Sequence, residues 1–179
     1  NCNKLKTPLK TAIINGYILM LRGTPVFVQL LLIYYALPNL IGINLSAFAA
    51  GTATLALNSI AYVAEIMRGG INTVPEGQWD ACTVLGYSTV QTLYSVIVPQ
   101  TMHSMLPAII NEFTTLIKET SILSTIGVIE LTKIGTNISA KTLDPLTTYL
   151  VIALLYLVMI SVITVIGKKI EKGFNHDNH

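Results

Sequence analysis

Hydrophobic positions in this chain come in long unbroken blocks, with the polar residues gathered between them. From Gly23 to Ala64 no Asp, Glu, Lys or Arg occurs, a run of 42 residues. A helix needs about 20 residues to cross a bilayer, so this run predicts two spans, over 24–40 and 46–67. Turn chemistry between them lies at Pro38-Asn39 through Gly42 and Asn44. The 23 residues from Pro145 to Gly167 are equally free of charge and predict the last span. Another span is predicted over 108–126, opened by Pro107 and ended by Gly127. Ahead of all four, Thr11–Leu21 is apolar but interrupted by Asn15 and Gly16. At that length it predicts an interfacial elbow helix ending at Arg22, not a crossing.

Two of these spans carry further information. The second begins with Ala47, Ala49, Ala50, Gly51 and Ala53, small residues that let helices approach closely in a membrane, so this face is expected to pack on another helix. The third holds Glu112, Lys118 and Glu119. Glu112 and Glu119 are seven residues apart and share roughly one helix face. A charge near a bilayer centre costs about 3 kcal/mol on insertion scales, so these groups should face protein or water. They fit an internal ion pair, or a polar path that receives a charged solute. Lys118 and Glu119 are about 100° apart on a helix and cannot both face one narrow lumen. Glu112 suits a gate or a subunit contact.

Between the second and third spans lies the longest segment that reads as soluble, Thr73–Gln100. Thr73 and Glu76 have capping-box spacing around Pro75 and predict a short helix that stops at Gly86. Ser88 and Gln91 repeat the spacing and predict a second helix, closed by Pro99. Ala81, Val84 and Leu85 form an apolar strip on the first helix. An isolated helix of about ten residues is marginal in water, so the strip calls for a partner. The stretch 130–144 reads as a polar outer segment.

Composition agrees with an all-α integral membrane protein, a multi-span helical bundle. Of 179 residues, 52% are hydrophobic and 11% charged, where soluble domains carry about 25% charged residues. The net charge of +2 comes with no basic cluster, so no nucleic-acid partner is expected. Charge placement is more telling. Lys4, Lys6, Lys10, Arg22, Arg68, Lys168, Lys169 and Lys172 fall on one side of a four-span topology, and Lys133 and Lys141 on the other. The positive-inside rule puts the Thr73–Gln100 segment and the C-terminus in the cytoplasm. Cys2 and Cys82 lack neighbours at metal or redox spacing and read as free thiols. His103, His176 and His179 likewise lack metal-ligand spacing, and no metal is expected. No phosphate-cradling Gly-rich motif is present, so catalysis on this chain is not expected. Asn1 is not a start residue, and the chain is expected to begin partway through a longer protein.

The order Asp80-Ala81-Cys82, then Gly86, then Val96-Ile97-Val98-Pro99 resembles the EAA loop of bacterial ABC importer permeases, with Asp for Glu, Cys for Ala, and Val for Ile and Leu. Arg22-Gly23-Thr24-Pro25 followed by Gln29 resembles the signature of the polar amino acid branch. Ala61-Tyr62-Val63-Ala64-Glu65, Arg68-Gly69-Gly70-Ile71, Gly77-Gln78-Trp79, Pro99-Gln100 and Lys118-Glu119-Thr120-Ser121 also fit, in order, from Arg22 to the C-terminus. Two features depart from the pattern. Ile60 stands where the family often has Gly, and the family's first span, before the elbow, is missing.

The resemblance implies a type I ABC importer permease fold with four spans in this chain. Residues 1–22 would be a cytoplasmic arm and elbow, and 23–179 the transmembrane permease domain with its coupling loop at 73–100. It implies a coupling helix seated on a separate ATPase dimer that holds ATP and Mg, with Glu76, Gln78, Trp79, Asp80, Ala81 and Gly86 at the contact. Asp80 equally suits the positive end of a helix, and Trp79 an interfacial aromatic. It further implies a substrate path involving Glu112, Lys118, Glu119, Thr120 and Ser121, a second permease subunit, an extracytoplasmic solute-binding protein, surrounding lipid, and the bacterial inner membrane as location. The expected substrate is a polar amino acid such as glutamine. A permease for another small solute would share the loop and differ around Lys118-Glu119. A channel or scaffold without an ATPase would not need the Asp80–Pro99 arrangement.

Overall fold

The structure is a computed structural model that describes residues 8–176; Cys2, Lys4, Lys6 and His179 lie outside the described residues. Helix follows helix throughout: α1 (Pro8–Gly23), α2 (Val26–Leu31), α3 (Leu37–Ile41), α4 (Ala47–Asn72), α5 (Glu76–Val84), α6 (Thr89–Thr92), α7 (Val98–Glu119), α8 (Leu131–Thr142) and α9 (Pro145–His176). No strand occurs among the described residues. By length and composition α4 and α9 can each cross a membrane, and two bent pairs, Thr11–Gly23 with Val26–Ile41 and Thr89–Met102 with Ser104–Ile126, pass the same test as single spans. Leu154, Leu157 and Val158 on α9 are exposed, as expected of a helix that is apolar all round and faces lipid.

The chain divides into two compact units, one of the residues up to Tyr62 with Leu116–Leu154, the other of Val63–Thr115 with the residues from Leu155 on. In the first unit α1 and α2 meet at 105° across Thr24-Pro25. Pro25 has no N–H to offer the carbonyl of Leu21, its partner four residues back in an α-helix. Two buried side-chain amides replace it. Gln29 Nε2 donates to Leu21 O at 2.8 Å and Asn58 Nδ2 donates to the same oxygen at 3.3 Å. Asn58 Nδ2 also donates to Gln29 Oε1 at 3.1 Å, and Gln29 Nε2 to Thr24 Oγ1 at 2.8 Å. Tyr17 Oη donates to Leu57 O at 2.7 Å, and the Arg22 guanidinium lies 5.2 Å from the Tyr62 ring centroid, so α1 follows α4 over these residues.

The small-residue face of α4 packs as its sequence predicts. A methyl group at Gly51 would come within 2.7 Å of Leu123 Cδ2, so a larger residue there would require the Leu123 side chain to shift. Leu123 belongs to the tighter 3₁₀ turn Thr120–Ile126, and with Leu30 and Ile126 forms a buried cluster against Tyr34 and Leu55.

Prolines mark the largest departures from the expected elements. Of the turn expected from Pro38-Asn39 through Gly42 and Asn44, the first part is helical and the break falls in the second, where Gly42 adopts φ 71° and Ser46 Oγ accepts from Ala49 N–H at 3.2 Å. Pro99 does not close a helix and Pro107 does not open one; both lie inside α7. The reason is a π-turn before two of these prolines. Leu32–Ala36 precedes Pro38 and Leu93–Ile97 precedes Pro99. In each, the next residue reaches back five positions, Leu37 N–H to Leu32 O and Val98 N–H to Leu93 O. That shift re-spaces the carbonyls ahead of a residue with no donor, so the helix continues.

The stretch 130–144, expected as a plain polar segment, contains α8. Glu130 caps it, its carboxylate accepting from Thr132 N–H at 2.8 Å and Lys133 N–H at 2.6 Å. Gly135, a breaker by propensity, is buried where a Cβ would strike Ile152 of α9. Glycine is kept there by close packing within the unit.

Candidate functional site

In the second unit α4 ends at Asn72, and Thr73 Oγ1 donates back to Gly70 O at 2.7 Å. Thr73 therefore finishes α4 and does not cap α5, contrary to the capping-box expectation. Pro75 holds the N-cap position of α5 with no side-chain cap bond. Glu76, exposed, supplies the acidic first turn. Asp80 sits one turn further in, also exposed, beyond the reach of the helix-end charge that its sequence position suggested. Trp79 is half-buried, and its carbonyl accepts from Thr83 Oγ1 at 2.9 Å. Gln78 is half-buried with its Oε1 buried and unbonded among the described residues. Cys82, a free thiol, is the one residue of α5 that is buried.

The end of α5 is built by hydrogen bonds. Gly86 N–H donates to Thr83 O at 3.1 Å and Tyr87 N–H to Cys82 O at 3.0 Å. This Schellman pattern needs a left-handed residue, and Gly86 has φ 79°. Two residues on, Ser88 and Gln91 form the predicted capping box, with Gln91 N–H to Ser88 Oγ at 3.3 Å and Ser88 N–H to Gln91 Oε1 at 2.9 Å. A stop and a start thus stand back to back. With Cys82 and Thr92 turned inward, the outer surface carries Ala81, Val84, Leu85, Tyr87, Val90 and Tyr94. Val84 is 87% and Leu85 74% exposed, so the apolar strip finds no cover among the described residues.

The other predicted group lies on α7 and the turn after it. Glu112 is 9% exposed and belongs to the second unit. Lys118 (exposed), with Glu119, Thr120 and Ser121 (half-buried), belongs to the first unit, where the α-helix tightens into the 3₁₀ turn. Thr120 Oγ1 donates to Ile117 O at 2.7 Å and Ser121 Oγ to Lys118 O at 2.6 Å, so both hydroxyls back-bond to the helix. Gly127, φ 88°, ends the run where the sequence placed its end. Among the described residues no group of three or more His, Cys, Asp or Glu side chains could hold a metal ion. Asn58 was not singled out by sequence reading, although an amide inside an uncharged 42-residue run is itself a signal.

Comparison with known proteins adds the following. A family model described as "Binding-protein-dependent transport system inner membrane component" matches residues 7–176. The chain is 39% identical to a putative glutamine transport system permease protein, GlnP, of Rickettsia typhi, over 88% of this chain and 72% of the relative. It is 36% identical to the arginine transport system permease protein ArtQ of Bacillus subtilis, over 87% of this chain and 71% of the relative. Among solved structures it matches the crystal structure of an amino acid ABC transporter with histidines at a TM-score of 0.85 and 40% identity, covering 94% of this chain and 78% of that one. The MetNI methionine ABC transporter in its inward-facing form shares the fold at a TM-score of 0.78, with 18% identity over 97% of this chain and 77% of that one.

Proposed function

The chain belongs to the family of binding-protein-dependent transport system inner membrane components, and from that premise we propose that it is the permease subunit of an ATP-driven importer for polar amino acids. The carrying observation is the apolar surface of α5 and its cap, exposed at Val84 and Leu85 and held rigid by the Gly86 stop and the Ser88–Gln91 box. A short helix with an uncovered apolar face needs a groove on another chain. That chain is a separate ATPase dimer carrying ATP and Mg, met by Glu76, Gln78, Trp79, Asp80, Ala81 and Gly86.

Lysine and arginine placement supports a cytoplasmic coupling loop and C-terminus. Polar amino acids, glutamine or a basic relative of it, fit the named relatives. Glu112, Lys118, Glu119, Thr120 and Ser121 are the proposed path residues, since ionisable groups within spans mark solute pathways by default. A second permease subunit completes the path, and an extracytoplasmic binding protein delivers the solute.

The reading is tested by ATP hydrolysis of the purified native complex in liposomes. Adding binding protein loaded with glutamine, arginine or histidine should raise hydrolysis several-fold over binding protein alone. A rate that none of these solutes changes would argue for another small solute, and a permease that binds no ATPase would argue for a channel or scaffold.

A further inference from the structure

We infer that Gln29 and Asn58 are positioning residues for transport, tying the α1–α2 corner to α4 so that the two move as one body. The inference rests on the transport reading above. Three observations meet at the corner. First, Pro25 leaves Leu21 O without its helical donor, and the replacement amides come from α2 and α4, not from α1. Second, all three groups are shielded from water, with Leu21 and Gln29 each 7% exposed and Asn58 3% exposed. A buried carbonyl that loses its donors has no solvent to turn to, so the arrangement is held against alternatives. Third, the tie is flanked on both sides, by Tyr17 on Leu57 O and by Arg22 on the Tyr62 ring. The contacts advance in step along α1 and α4.

The functional consequence follows from connectivity. Only Thr73, Val74 and Pro75 separate the end of α4 from α5. Displacement of α5 by a partner therefore acts on α4 through a three-residue link, and the amide tie passes it on to the corner. If the amides only helped the chain to fold, their loss would lower the amount of folded protein and leave the work done per ATP unchanged. A transmitting role predicts the reverse.

The test uses the native permease with its ATPase and binding protein in liposomes. Gln29→Leu removes the hub of the tie. Asn58→Ala breaks only its α4 side and leaves Leu21 O bonded to Gln29, so it serves where Gln29→Leu does not fold. At equal amounts of assembled complex, ATP hydrolysis should persist while solute moved per ATP falls well below the native ratio. Spin labels at Ile14 and Ile60, both exposed on α1 and α4, read the tie directly in a background with Cys2 and Cys82 replaced by Ser. The native distance should be narrow and equal in nucleotide-free and ATP-bound states, and broad in Asn58→Ala combined with Tyr17→Phe, which also removes the flanking bond to Leu57 O. A native distance that differs between the two states, or a double-variant distance as narrow as the native one, overturns the tie. A broad distance with unchanged solute per ATP overturns its role in transport. A native complex that moves no amino acid overturns the transport reading and the coupling with it, while the label distances still decide the tie.

Discussion

Gly86 shows how a single residue sets the geometry of the candidate coupling surface. Its φ of 79° lets two backbone N–H groups close the end of α5. A Cβ there meets no neighbouring atom, so the objection to a larger residue is conformational, not steric crowding. Gly86→Leu should strain the stop by about 1–2 kcal/mol and misdirect the apolar strip. The variant should insert and bind its ATPase but hydrolyse ATP with little uptake. Uptake at the native rate would separate Gly86 from coupling. Gly86, Gly127 and the Ser88–Gln91 pair were legible in the sequence because their partners lie within five residues. Asn58 was not, because its partner is a carbonyl 37 residues away that a proline had left without a donor.

Elements were legible where apolar blocks were long and misread where a proline or glycine stood inside a helix. Pro38 and Pro99 each follow a π-turn, and the bonds that keep those helices running carry no local sequence signature. Gly135 hid α8 because its value lies in contact with α9. The start of α9 offers a test at this scale. Asp144, exposed ahead of the span, accepts from Thr147 N–H at 3.1 Å. The hydrogen bonds from the Thr147 side chain and then its backbone hold the carboxyl below its ordinary value of 3.8. A carboxyl with a depressed folded pKa stabilises above its unfolded value and loses that contribution as pH falls through the folded one. The first turn of α9 should therefore be constant from neutral pH down to about 5 and fray in stronger acid. Amide exchange at Thr147 reads this directly. Asp144→Asn should keep the cap and lose the pH dependence, and identical acid profiles in the two proteins would remove Asp144 from the account.

For the whole molecule, the membrane character and the family could be read from charge-free runs and ordered motifs, and the fold and relatives agree with them. Residue roles along the solute path are of another kind. Glu112 and Glu119, which the sequence places on one helix face, fall in different compact units of the chain. What the sequence could state was that charges inside spans need polar surroundings; which solute they meet is a question of transport. The most direct measurement is uptake of labelled glutamine, arginine and histidine by the native permease in liposomes with its ATPase and binding protein, beside an Asp80→Lys complex. The account predicts ATP-dependent accumulation of a polar amino acid that Asp80→Lys abolishes. Accumulation that needs no ATP, or none of any amino acid by a fully assembled complex, would contradict it.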